Sequence, residues 1–136
     1  MKNVVVFQTL LITMLFSFFT SCNSSKEYKS YQEYPVYNGD ALELNYSPER
    51  SVFTLWSQAA KTVRLNLFEE GEGGEPVGQY NLKMAEYGTW NHTVKDDLQG
   101  LFYTFQISMD GENWLDETPG IWAKAVGVNG KRAAII

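Results

Sequence analysis

From Leu42 to Leu115 apolar and polar side chains alternate with a period of two, broken by short turn-forming clusters, the pattern of half-buried β-strands. Leu42, Leu44 and Tyr46 alternate with Glu43 and Asn45 before a turn at Ser47-Pro48-Glu49-Arg50. Val52-Phe53-Thr54-Leu55-Trp56 is apolar on both faces and predicts a central strand. Val63, Leu65 and Leu67 alternate with Arg64 and Asn66, one face buried and one wet. Glu69 to Pro76 predicts a loop, its glycines freeing the backbone and its glutamates keeping it solvated. Further strands are expected at Tyr80–Met84, Thr89–Val94 and Leu101–Met109, the last the strongest in the chain. Asp110-Gly111 is a hairpin signal leading to Asn113-Trp114-Leu115. About seven short strands at this spacing predict an all-β fold, an immunoglobulin-like antiparallel β-sandwich.

The amino-terminal segment follows a different pattern. Lys2 precedes an apolar run from Val4 to Phe19, about 16 residues long, where a membrane-spanning helix needs roughly 20. A charged start, an apolar middle and the small residues Ser21-Cys22 predict a secretory signal over residues 1–21. The only cysteine follows Phe19-Thr20-Ser21 and resembles a bacterial lipobox, which implies that Cys22 carries the lipid. Residues 22–36 begin as a polar tether, leaving 37–136 as one domain tied to the outer side of a membrane. Placement in an inner or outer membrane stays open.

Composition narrows the function. The 136 residues are 44% hydrophobic and 15% aromatic, suiting a packed domain with a single core. The net charge of −5 and the pI near 4.8 argue against nucleic acid, which calls for a basic face. One Cys and one His exclude an internal disulfide and a His/Cys metal cluster. No cofactor motif is present: Gly127-Val128-Asn129-Gly130-Lys131 lacks the phosphate-loop spacing.

Two segments carry a family resemblance. Phe53-Thr54-Leu55-Trp56-Ser57-Gln58-Ala59-Ala60-Lys61-Thr62-Val63-Arg64-Leu65 resembles the F-x-L-W-A-P-x-A-x-x-V-x-L signature of family 48 carbohydrate-binding modules. Gly88-Thr89-Trp90 and then Gly100-Leu101-Phe102-Tyr103-Thr104-Phe105-Gln106-Ile107 resemble that family's later half. The approach Tyr37–Glu49 and the exit Ala123–Arg132 are similar to type I pullulanases, debranching members of glycoside hydrolase family 13. Ser57-Gln58 stands where the signature has Ala-Pro, and Thr118-Pro119-Gly120-Ile121-Trp122 replaces the usual Asp-Pro-Tyr. The resemblance implies a module that precedes a catalytic barrel, orienting α-glucan chains or bracing the barrel. The apolar end Ile135-Ile136 is expected either of a chain cut short or of a last strand tied into a sheet. The alternative is a stand-alone glycan-binding or structural lipoprotein.

Catalysis is not expected of this chain alone. Cleaving an α-1,6 glucosidic bond takes two carboxylates on a rigid frame, in family 13 a (β/α)₈ barrel of about 250 residues. The paired acids Glu69-Glu70, Asp96-Asp97 and Asp116-Glu117 lie in turn-like stretches and read as solvated charges, and His92 reads as a structural or surface residue. Sugar binding uses flat aromatic rings, because a pyranose presents a C–H face to an indole while polar neighbours meet its hydroxyls. Trp56 and Trp90 sit in signature strands and are expected in the core. Trp114 follows a hairpin turn and Trp122 a Pro-Gly kink, so these two are expected to reach the surface, as candidates for sugar contact, for packing on the barrel or for plain local packing.

Overall fold

The structure, a computed structural model, describes residues 28–136. The predicted signal segment and Cys22 lie outside the described residues. Among the described residues eight strands form two antiparallel sheets: β1 (Glu43–Ser47), β2 (Arg50–Trp56), β3 (Thr62–Phe68), β4 (Gly78–Asn81), β5 (Lys83–Met84), β6 (Thr89–Val94), β7 (Phe102–Ser108) and β8 (Ala133–Ala134). One sheet has the order β1-β2-β6-β5, the other β4-β3-β7-β8. Period-two patterning places Phe53 of β2, Val63, Leu65 and Leu67 of β3, and Tyr103 and Phe105 of β7 between the sheets. Phe53, Tyr103 and Phe105 meet edge to face, with ring centroids 5.2 and 5.5 Å apart, the geometry favoured by the charge distribution of aromatic rings.

The predicted strand Tyr80–Met84 is divided between the sheets. β4 pairs with β3 and β5 with β6, and Leu82 between them is buried, its N–H donating to Val63 O at 2.9 Å. An extended segment at the sandwich edge can switch partners without breaking its alternation. Asn113-Trp114-Leu115 does not form a full strand. Ser108 and Trp114 make a single bridge, and a second bridge joins Phe105 to Thr118, so this segment follows the edge of β7 irregularly. The end of the chain docks: Ile135 is buried, donates to Leu101 O and accepts from Gly100 N.

Polar contacts hold the loops. The Arg132 guanidinium lies 3.4 Å from the Phe68 ring centroid and donates to the carbonyls of Glu70 and Gly73, both at 2.6 Å. It thereby organises the glutamate-rich loop, where Gly73 and Gly74 adopt positive φ. Tyr46 Oη donates to Asp97 at 2.7 Å, and that bond to a carboxylate pushes the phenol up to about 12. His92 is half-buried and stacks on Tyr80 with centroids 4.7 Å apart. Burial, then Lys83, lowers its pKa.

Candidate functional site

Two aromatic surfaces stand on different parts of the sandwich, each holding one of the tryptophans singled out in the sequence. The first begins at Asp110, whose carboxylate accepts the N–H groups of Glu112 and Asn113, both at 2.8 Å, and the Asn113 side-chain amide at 2.7 Å. Those bonds hold its pKa well below the usual carboxylate range, the Asn113 side chain contributing most. With Gly111 at φ 91° the turn closes, and the bridge to Ser108 sets Trp114 on the outer face of the β4-β3-β7-β8 sheet. There the Arg64 guanidinium lies 4.1 Å from the indole centroid.

A polar cluster surrounds that pair. Arg64 Nη2 donates to Gln106 Oε1 at 3.0 Å. Asn66 Nδ2 is shared among Gln106 Oε1, Thr104 Oγ1 and Glu117 Oε1 at 3.1, 3.3 and 3.2 Å, while Gln79 donates to Asn66 Oδ1 at 2.9 Å. Asn66 is fully buried, which corrects the expectation of a wet face: the segment from Leu115 to Thr118 crosses the edge of β7 and Glu117 reaches over it. Glu117 is thus a hydrogen-bonding member of the surface, and it also accepts from Thr104 Oγ1 at 3.1 Å. The Arg64 Nε–H is buried without a partner.

The second surface is an apolar groove of about 750 Å³, lined by Tyr31, Tyr34, Tyr37, Leu55, Trp56 and Trp122 among others, with Glu43 and Gly120 at the same place. Trp122 is 61% exposed, as the Pro-Gly kink predicted. Trp56 is 41% exposed, which corrects its assignment to the core. On β2 its side chain falls on the face opposite Phe53, and its indole N–H donates to Tyr87 O at 3.0 Å. Tyr87 itself has φ 57° and is followed by Gly88 at φ 72°. Gln58, in place of the signature proline, donates to the same Tyr87 carbonyl at 2.6 Å and packs where any Gly88 Cβ would lie. Trp90 is core as expected, 5% exposed, with its indole N–H on Ser57 O at 2.9 Å.

Sequence reasoning passed over Glu43. It stands in β1 with φ 67° yet is 2% exposed. The Trp122 N–H donates to its Oε1 at 3.4 Å and the Ile121 N–H faces the same carboxyl, while Oε2 has no partner. A Cβ on Gly120 would meet Oε2 at 1.9 Å, so only glycine fits beside it. Burial raises the Glu43 pKa, against the smaller lowering by the Trp122 and Ile121 amides. The Thr118–Trp122 departure from the signature is therefore a turn wrapped on this carboxyl. A charged residue at an apolar-alternating edge was the one available signal. Among the described residues no group of His, Cys, Asp or Glu could hold a metal ion.

The fold is thus a two-sheet antiparallel sandwich with half-buried Trp114 on the outer face of one sheet. The sequence profile of carbohydrate-binding module 48 (isoamylase N-terminal domain) matches residues 41–123, and the chain belongs to that family. It is 32% identical over 100 residues to a pullulanase of Bacillus subtilis (strain 168), covering 74% of this chain and 13% of that protein. It superposes with a TM-score of 0.71 and 42% identity on the Paenibacillus barengoltzii pullulanase in complex with maltohexaose and alpha-cyclodextrin, over 77% of this chain and 16% of that one. The pullulanase of Anoxybacillus sp. LM18-11 gives 0.69 and 28% over 80% of this chain and 15% of its own. The chain thus spans about one seventh of the length of these relatives.

Proposed function

We propose that this chain is the α-glucan-binding and barrel-docking module of a pullulanase-type debranching enzyme, exported and held at a membrane by lipid on Cys22. The Trp114 surface carries the glucan-binding part. Its indole offers an apolar plane to the C–H face of a glucose unit, and the neighbouring Arg64 and Gln106 side chains offer N–H donors to hydroxyls. Hydrolysis of the α-1,6 bond is assigned to two carboxylates on a catalytic barrel, with this module presenting the chain to it. The Trp56–Trp122 groove faces that barrel.

Affinity electrophoresis in gels containing pullulan or glycogen tests the reading. The protein is expected to be retarded, and Trp114→Ala to abolish retardation while Trp122→Ala preserves it. Unretarded wild-type protein removes the glucan-binding assignment. For the anchor, mass spectrometry of the membrane-bound protein is expected to find an acylated N-terminal Cys22, with a Cys22→Ser variant released to the soluble fraction.

A further inference from the structure

The chain holds two Asn-Gly steps, Asn38-Gly39 and Asn129-Gly130, and both are exposed. An asparagine before glycine is chemically labile, because the following amide nitrogen is unshielded by a β-carbon and can swing onto the side-chain carbonyl. That attack requires the nitrogen and the side-chain carbon to reach contact in the right orientation, so a turn that fixes either group slows it.

The fold treats the two steps oppositely. Asn129 is held: it lies in the Val128–Gly130 turn with φ 56° and ψ 19°. The Gly130 N–H donates to Gly127 O at 3.1 Å, and the Gly127 N–H donates to Arg132 O at 2.8 Å. The Asn129 side chain is one of the groups facing the Glu72 carboxylate. Asn38 lies in the irregular stretch before β1, and among the described residues none hydrogen-bonds to Asn38 or Gly39. One contact remains there. The end of the Tyr37 ring occupies the place a Gly39 side chain would take, and Tyr37 also lines the Trp56–Trp122 groove.

We infer that Asn38-Gly39 is a self-modification site, losing ammonia in the folded protein while Asn129-Gly130 keeps its amide. The Gly39 nitrogen bonds to Asn38 Cγ, the Cγ–Nδ2 bond breaks, and the proton given up by Gly39 leaves on the departing nitrogen as ammonia. Water then opens the cyclic imide. Addition at the main-chain carbonyl gives isoaspartate, with an extra methylene in the main chain, and addition at the side-chain carbonyl gives aspartate. Either product puts a negative charge beside Tyr37. Isoaspartate also lengthens the step between Tyr37 and Gly39, so the ring loses its seat at the rim of the groove. This chemistry is independent of what either tryptophan surface binds.

The test is incubation of the full chain in mildly alkaline buffer, folded and in concentrated urea, followed by peptide mapping with electron-transfer fragmentation to separate isoaspartate from aspartate. In the folded chain Asn38 is expected to convert at least tenfold faster than Asn129, chiefly to isoaspartate. In urea the two rates are expected to meet, through acceleration of Asn129. Asn38→Gln, whose longer side chain closes an imide far more slowly, is expected to remove the fast conversion and leave the slow one. Comparable rates at the two steps of the folded chain, a faster Asn129, or an Asn38 that converts at least tenfold faster in urea than in the fold overturns the assignment. The isoaspartyl form, separated by ion exchange, is expected to shift the Tyr37 ring signals in NMR spectra with the Trp90 indole signal unmoved, and Asn38→Asp to leave both in place. An unmoved Tyr37 ring in the isoaspartyl form overturns the effect on the groove.

Discussion

The two tryptophan surfaces solve opposite problems of burial. On the Trp114 face the buried polar groups are knitted together: Asn66 alone joins Gln79, Thr104, Gln106 and Glu117, and the Arg64 Nε–H is the atom left over. In the Trp122 groove the surroundings are apolar, and the atom left over is an acceptor on Glu43. The spare donor is closed inside a polar network, whereas the spare acceptor is closed against the Gly120 backbone. The same residue type therefore stands in a polar setting on one surface and an apolar one on the other, because of what lies beside it.

Removing the centre of the network should have the largest effect on stability. Asn66→Ala strips four side-chain hydrogen bonds from a fully buried site and is expected to destabilise the fold by about 2–3 kcal/mol in denaturant titration. Trp122→Ala, on the exposed side of the comparison, is expected to change it by only about 0.5 kcal/mol. If both variants lose equally, the network is not what holds the Trp114 surface.

A smaller effect is expected at the turn on Glu43. Gly120 has φ 88°, and a Cβ there would collide with the Glu43 carboxyl. Gly120→Ala should cost upwards of about 1 kcal/mol. Combining it with Glu43→Gly should recover the collision part and leave the backbone part. Strict additivity in this double-mutant cycle would show that the two residues do not press on each other.

The smallest and most diagnostic effect is on pH dependence. Glu43 has a folded-state pKa raised above its ordinary value of 4.5 by burial. The unfolded chain therefore gives up this proton first, and the protonated group's stabilising contribution is complete below about 4.5 and lost as pH rises through the higher folded value. Asp110 has the opposite sign: its lowered pKa stabilises the fold above the ordinary value of 3.8 and that contribution is lost in stronger acid. Glu43→Gln should flatten the stability profile just above 4.5 and leave the acid limb, while Asp110→Asn should flatten the acid limb alone. Thermal melts across this range distinguish the two, and a profile unchanged by Glu43→Gln would place its carboxyl in contact with water.

Much of the architecture was legible in the sequence. Alternation at Val63, Leu65 and Leu67 and at Leu101–Met109 marked strands that became the centre of one sheet, and the Phe53–Leu65 segment carried the family signature. Alternation reports only which side chains share a face. It was silent on which sheet each half of Tyr80–Met84 would join, and on what would cover a face labelled polar, so Asn66 was expected to be wet. Trp56 shows the same limit: a strand with two apolar faces sits centrally, but one of those faces opened onto a groove.

The order of apolar and polar residues, with the turn chemistry between them, determined by itself that this protein is a β-sandwich, because those signals act between neighbours along the chain; the resemblance of Phe53–Leu65 and Gly88–Ile107 to a family signature pointed to the carbohydrate-binding module 48 family. Only tertiary structure decided that Trp114 and Trp122 belong to separate surfaces, that Glu117 closes a network over Asn66, and that Glu43 lies buried against Gly120. Each of these pairs a side chain with a partner distant along the chain, Glu43 with Gly120 among them, and a contact of that kind is created by the packing of one sheet edge against a returning loop.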